Sequence, residues 1–570
     1  MKYHLRFNNP LQHLIDIVLE IDKIQTTNLE LKLPIWRPGR YEASNYAKNI
    51  QQITFFGQNG ELLEHKKLTH SHWKIDTNGH SRIKVAYKYY AHQLDAGNSW
   101  FTENQIYINF VNCILYCEDR LNEEHYVNAE FPDGYIIGCG LKSINNKLKA
   151  KSYYELADSP LIASRTLEHL EYEVDNVLFN VWIQGEHSLD KDKLVREFKL
   201  FSECQIGMMK GLPTSDYHFL LQFTPNKFYH GVEHSNSTVI CIGPGRDLDK
   251  AELYSELMGV SSHELFHAWN ICNIRPKELQ PYNFGKPAVF PTGYVAEGFT
   301  TYYGDLFVVR SKVFDKSWYL NELNKLFNRH FLNFGRLNNS VIDSSIDLWI
   351  DGYQPSAPHK KSSIYIEGAM IALTLDLLIR KNTNNTQSLD DVMRMLYSRF
   401  GKKEEGYSHA DIRRICEEVA DQNLEEYFVD YVDGTKPKED LVSALLGTVG
   451  CSLEINDSPL LLERELGLKV VFDGDECKIA LIVPDSFGES IFSIKDKIVS
   501  INGEKPSEGI LKELKRGTLE FQIERNFKRL DIATKTEGRS FLKRYSISQK
   551  KSPSEKQKDS FENWLNISFD

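Results

Sequence analysis

Ser261-Ser262-His263-Glu264-Leu265-Phe266-His267-Ala268-Trp269-Asn270 places two imidazoles four residues apart, with a carboxylate beside the first. Residues four apart share one face of an α-helix, so His263 and His267 can reach a single metal ion while Glu264 points toward its open side. That is the donor pattern of a zinc-dependent hydrolytic centre. Upstream, Asp247-Leu248-Asp249-Lys250-Ala251-Glu252-Leu253-Tyr254-Ser255-Glu256-Leu257-Met258 carries acidic residues suited to a first helical turn and runs into the motif without a proline. A helix that carries two histidines by accident would share the pattern, so the rest of the chain has to supply the remaining parts of a site.

A catalytic zinc holds three protein ligands and one water. Downstream, Thr292-Gly293-Tyr294-Val295-Ala296-Glu297-Gly298-Phe299-Thr300-Thr301-Tyr302-Tyr303 reads as a second amphipathic helix built around a glutamate. Its flanking residues are apolar, and a lone carboxylate on such a face needs a partner. Glu297 is therefore the expected third ligand and Zn²⁺ its partner. His230 and His234, in the strand-and-loop region before the first helix, are the competing candidates.

These segments resemble the PDZ-containing glycyl aminopeptidase family of gluzincin metallopeptidases. The resemblance rests on His263 to Asn270 followed by Ile274-Arg275-Pro276, and on Ala296-Glu297-Gly298-Phe299-Thr300 with Tyr302-Tyr303. Three further segments agree in order along the chain: Leu33-Pro34-Ile35-Trp36-Arg37-Pro38-Gly39-Arg40-Tyr41, Gly231-Val232-Glu233-His234-Ser235-Asn236-Ser237 and Tyr365-Ile366-Glu367-Gly368-Ala369. Two departures stand out: Cys272-Asn273 replaces a basic pair, and Arg40 stands where a small residue is common.

The resemblance implies an aminopeptidase for peptides with a free N-terminus, acting on small N-terminal residues, glycine or alanine, with one Zn²⁺ held by His263, His267 and Glu297. Glu264 would be the general base, Tyr365 the donor to the oxyanion, and Glu233 the anion that pairs with the substrate amine. Read without the family, Tyr365 is a core tyrosine on an apolar helix, and Glu233 equally an exposed turn residue. Three alternatives stay open: a PDZ-assisted endopeptidase, a non-catalytic peptide-binding protein, and an epoxide hydrolase of the same constellation. The intact set His263, Glu264, His267 and Glu297 argues against the non-catalytic one.

The expected fold is multidomain α+β. Strand-like alternations such as Leu14-Ile15-Asp16-Ile17-Val18-Leu19-Glu20-Ile21 mark a β domain over 1–172. Successive helices after a few strands over 173–442 resemble a thermolysin-like catalytic domain. Strands return over 443–540, where Lys495-Asp496-Lys497-Ile498-Val499-Ser500-Ile501-Asn502-Gly503 resembles a PDZ domain with Leu466-Gly467-Leu468 as its carboxylate loop, a candidate site for a peptide C-terminus. Residues 541–570 read as a polar, flexible tail whose Phe561, Trp564 and Leu565 could dock back.

The 570 residues, 41% hydrophobic and 26% charged, suit a globular enzyme. A net charge of −11 argues against nucleic acid as the main partner. The most apolar run, Ile364 to Ile379, is broken by Glu367 and Asp376, so no membrane span is expected. The start lacks the apolar core of a signal peptide, and nine scattered cysteines read as reduced thiols. A cytoplasmic protein is expected, with a homo-oligomer as an open possibility.

Overall fold

The computed structural model describes residues 1–144, 147–354 and 356–570. Alternation along Leu14–Asp22 buries one face of that strand and leaves the other half-exposed, as a period of two requires. This strand pairs antiparallel with Lys2–Asn9, Leu5 opposite Ile17, and with Arg82–Tyr90. Strand His125–Glu130 joins parallel to Lys2–Asn9 in a seven-stranded sheet. Tyr3, Leu5, Ile17, Leu19, Ile83 and Val85 lie in the core of this N-terminal β domain. One of its loops leaves it: Trp36 and Tyr41 belong to the core of the next domain, and the Trp36 indole N–H donates to the Asn283 carbonyl at 2.8 Å.

That next domain opens with a five-stranded mixed sheet in the order Glu168–Val174, Val177–Gln184, Asp216–Phe223, Ser237–Gly243, Phe228–His234. The last strand is an edge, antiparallel to its neighbour with Gly231 opposite Ile240 and Glu233 opposite Thr238. Helices follow, including Ala251–Phe266, Thr300–Arg310, Lys316–Phe331 and Ile364–Asn382. Ile364–Asn382 is apolar nearly all round and runs through the interior. The two charges that interrupt it are paired: Glu367 with Lys438 and with His330 at 2.8 Å, and Asp376 with Arg380 at 3.0 Å. None of the helices is long and apolar enough to cross a membrane among the described residues.

From residue 443 onward the chain differs from the expected succession of a domain and a tail. Cys451–Asp457 pairs along its whole length with Lys543–Gln549, forming a two-stranded ribbon. Between the two strands the chain makes a separate unit, an antiparallel meander of Leu468–Asp473, Glu476–Ile482, Lys497–Ile501, Thr518–Arg525 and Lys528–Lys535 with the short helix Glu508–Glu513. It has its own core around Leu466, Ile479, Ile498 and Ile523.

Residues 541–570 are not a flexible tail: they form the returning ribbon strand and the helix Glu555–Leu565. Phe561, Trp564 and Leu565 fall on one helical face and enter the catalytic core. The Trp564 indole N–H donates to the Tyr302 hydroxyl at 2.8 Å, and Arg310 Nε donates to the Trp564 carbonyl at 2.9 Å. The charged face that made the segment look like a tail is its solvent side.

Candidate active site

His263 lies in the last turn of Ala251–Phe266 and His267 immediately follows that helix, so both rings project from one face. The other nitrogen of the His267 ring, Nδ1, donates to the Asn270 carbonyl at 2.8 Å, and the Thr300 backbone lies on the far side of the His263 ring. The two Nε2 atoms are left facing one another at 3.0 Å. Two nitrogen lone pairs held at that separation repel unless they share a cation. Glu297 Oε2 stands 3.4 Å from His267 Nε2, and one donor atom from each of His263, His267 and Glu297 falls within a 4.8 Å cluster.

Glu297 is presented by a π-helical turn, Tyr294–Phe299, that runs directly into Thr300–Arg310. Such wide turns recur at functional sites because they re-aim one side chain without ending the helix. Close helix packing then sets its position. A Cβ on Gly298 would lie 2.3 Å from Gly368 Cα, so the π turn and Ile364–Asn382 meet backbone to backbone. The contact turns the first turn of that second helix, which carries Tyr365, toward the site, where Tyr365 feels the charges of Glu297 and Glu233.

Glu233 and Glu264 complete the pocket. One oxygen of each, with a His267 nitrogen, forms a second cluster within 4.8 Å, and Glu233 Oε1 and Glu264 Oε2 have no hydrogen-bond partner among the described residues. Glycines leave room for both carboxylates: a Cβ on Gly231 would sit 2.1 Å from Glu264 Oε1, and one on Gly39, at φ +76°, 2.5 Å from Glu233 Oε2.

Three carboxylates around two imidazoles produce large electrostatic shifts. Burial, then Glu233 and Glu297, drive the Glu264 carboxyl well above the usual carboxylate range against the pull of His267. Glu233 is raised by burial and by Glu297. Burial opposes charge on His267, yet the Glu297, Glu233 and Glu264 carboxylates lift it to about 10. His263 is pushed down by burial and by His267. The pocket thus calls for positive charge at the point where the nitrogen lone pairs converge, and this donor set of two imidazoles and a carboxylate suits Zn²⁺. His230 and His234 take no part in it: Ala96 N–H donates to His230 Nδ1 at 3.3 Å, and His234 Nδ1 bonds Asp158 at 3.0 Å.

Two family models match: the peptidase M61 N-terminal domain over residues 2–165 and the M61 glycyl aminopeptidase model over residues 256–371. The chain belongs to the M61 glycyl aminopeptidase family. It is therefore a peptidase. Its fold is shared with an aminopeptidase N family protein from Idiomarina loihiensis, which superposes with a TM-score of 0.91 over 99% of each chain at 23% identity. An M1 zinc metallopeptidase from Deinococcus radiodurans aligns more loosely, at 12% identity and a TM-score of 0.47 over 76% of this chain and 94% of that one. No curated protein matches the sequence.

The M61 site also draws on residues that sequence reasoning passed over. Arg37, only 3% exposed, lies near Glu233 and Asp95, and its Nη2 would be 2.1 Å from a Cβ on Gly97. Asp95 accepts the backbone N–H groups of Gly97 and Asn98 at 2.7 and 2.8 Å, which folds the turn over that guanidinium. Tyr353, between two helices, accepts the Tyr41 N–H at 3.1 Å. The readable signals were the Pro-Gly step after Arg37 and the Asp-Ala-Gly-Asn turn at 95–98. Neither says that the two loops meet.

Proposed function

We propose that this M61 peptidase is a zinc aminopeptidase that removes small N-terminal residues, glycine or alanine, from peptides. The observation that carries the reading is the convergence of His263, His267 and Glu297 on one point, with the Glu264 and Glu233 carboxylates facing it. His263, His267 and Glu297 would hold the ion. When bound, it would supply Lewis-acid polarisation and acidify water toward neutrality.

The chain's own groups divide the remaining work. Glu264, buried and unpaired at Oε2, accepts the proton of the attacking water and returns it to the leaving amine. Its environment favours the protonated state that this step creates. Tyr365, kept protonated by burial and by Glu297, donates a hydrogen bond to the oxyanion of the tetrahedral intermediate. Glu233 pairs with the α-ammonium of the substrate, which stops an extended peptide from continuing past it. The open edge of Phe228–His234 offers backbone groups along which such a peptide can lie.

The inserted meander is proposed as the PDZ-like module, with a peptide C-terminus as its partner. Support comes from the open edge of Leu468–Asp473 beside the Leu466-Gly467-Leu468 turn. The Gly467 N–H is already bonded to the Leu462 carbonyl, so a bound carboxylate must displace that bond. Nine free cysteines suit a reducing, cytoplasmic setting.

The deciding experiment is metal analysis together with a panel of amino-acid arylamides, with and without a chelator. Glycyl and alanyl arylamides should be hydrolysed, chelation should stop the reaction, and N-acetylated analogues should be poor substrates. Efficient cleavage of blocked peptides would overturn the aminopeptidase reading in favour of an endopeptidase.

A further inference from the structure

Glu233 sits one residue from the end of the edge strand Phe228–His234, which has a neighbour on one side only. Element ends with few partners open first, so a side chain placed there needs an anchor to keep its aim. Glu233 also shares a 4.8 Å cluster with the Glu264 carboxyl, and like charges that close push apart. We propose that Asp158 is the positioning residue for Glu233, and that it acts by pinning His234 and Ser235 to the N-terminal domain, so that the pin sets the affinity of the site for a substrate amine; this rests on the reading of Glu233 as the group that binds that amine.

Side chains alternate along a strand, so its two faces carry different sets. Gly231 and Glu233 face Glu264, while His230, Val232 and His234 face the other way. All three of these meet the N-terminal domain. The Ala96 N–H donates to His230 Nδ1 at 3.3 Å, and Val232 shares a small buried core with Ala96, Tyr107 and Ile162. His234 Nδ1 lies 3.0 Å from Asp158 Oδ1. The two histidines that rivalled Glu297 as metal ligands are thus spent on the back of the strand.

The tie at the strand's end is the most heavily bonded of the three. Asp158 Oδ2 accepts the Ser235 backbone N–H at 2.9 Å and the Ser235 hydroxyl at 2.6 Å. A carboxylate only accepts, so His234 Nδ1 carries the proton of its bond. Three donors from two consecutive residues end on one carboxylate, and bonds to an ionised acceptor are roughly twice as strong as neutral ones. Asp158 itself stands on a fixed stem: its N–H donates to the Tyr154 carbonyl at 3.1 Å, and Ser159 Oγ donates to the Glu155 carbonyl at 2.7 Å. Beyond the pin, Asn236 Nδ2 donates to the Gly140 carbonyl at 3.2 Å, and a Cβ on Gly140 would lie 2.6 Å from Asn236 Oδ1.

Glu233 and His234 are joined by one peptide bond, so a shift of His234 moves the carboxylate with it. The ligands His263, His267 and Glu297 stand on helical segments that this tie does not touch. Loosening it should therefore weaken binding of the amine and leave the metal and the proton transfer in place.

The test compares Asp158→Asn, Glu233→Ala and the double variant on a glycyl arylamide, with zinc content and melting temperature as controls. Asparagine keeps the shape but turns an amide N–H₂ toward a donor, so Asp158→Asn should raise KM about fivefold and change kcat by less than about twofold, because the lost contact serves ground state and transition state alike. The double variant should have the KM of Glu233→Ala. Ser235→Ala removes one bond of the three and should raise KM by a smaller factor, a rise that vanishes in the Glu233→Ala background; this variant decides the matter if Asp158→Asn does not fold. A lower melting temperature with unchanged KM in Asp158→Asn, beside a raised KM in Glu233→Ala, would mark a purely structural tie and overturn the inference alone. So would KM rises that multiply in the double variant. Glu233→Ala at wild-type KM would overturn the reading beneath it as well.

Discussion

The metal-facing corner and the inserted meander are built in opposite ways. The corner collects Gly39, Gly231, Glu233, His263, His267, Glu297 and Tyr365 from widely separated segments and two domains, and holds them by backbone approaches that no side chain could replace. The meander is one continuous stretch whose strands pair in sequence order, around a small core of its own, on a two-stranded ribbon. Long-range convergence makes the first exact in geometry and sensitive to change. Local pairing makes the second separable.

The largest effect should come from the corner itself. His263→Ala, His267→Ala or Glu297→Ala should each strip the metal, read by elemental analysis, and abolish hydrolysis. Stoichiometric zinc in Glu297→Ala would remove this residue from the ligand set. Glu264→Gln should keep the metal while kcat falls by on the order of 10²-fold or more, since shape is preserved and only the proton acceptor is lost. Activity near wild type would assign the base to another group.

Gly298→Ala sharpens the comparison without touching a ligand. Its Cβ would meet Gly368 Cα at 2.3 Å, so the two helices must part. The expected cost is about 1–3 kcal/mol of stability, in line with overpacking, together with weakened zinc retention. A variant as stable and as zinc-loaded as wild type would show that the helices can part without moving Glu297. The smallest effect should follow removal of residues 458–542 with the ribbon closed by a short turn. Zinc and most arylamide hydrolysis should persist, with a loss of a few-fold because His359 Nε2 bonds the Ile482 carbonyl at 2.8 Å and His359 lies in the loop before Tyr365. Collapse of metal binding in that folded variant would end the claim of separability.

Much of the site was legible because its chemistry is written in short-range patterns. Two histidines at a spacing of four and a carboxylate on an apolar stretch can be read without knowing where the chain goes. A different period, two rather than four, exposes the N-terminal strands, as along Leu14–Asp22. The C-terminal segment was legible only in part: Phe561, Trp564 and Leu565 stood out as residues able to dock back, as they do, but the charged residues around that narrow stripe hid the helix that carries it.

The sequence by itself determined the donor types, the helical face that carries two of them, and the alternating domain character, since these depend on residues within a few positions of one another. Only the tertiary structure decided that Arg37 and Gly39 of a β domain press toward Glu233, that Gly298 rests on Gly368, and that Tyr353 accepts the Tyr41 backbone N–H. Each of those contacts joins segments far apart in the chain. Their energy comes from burial and close approach, and no local period records it.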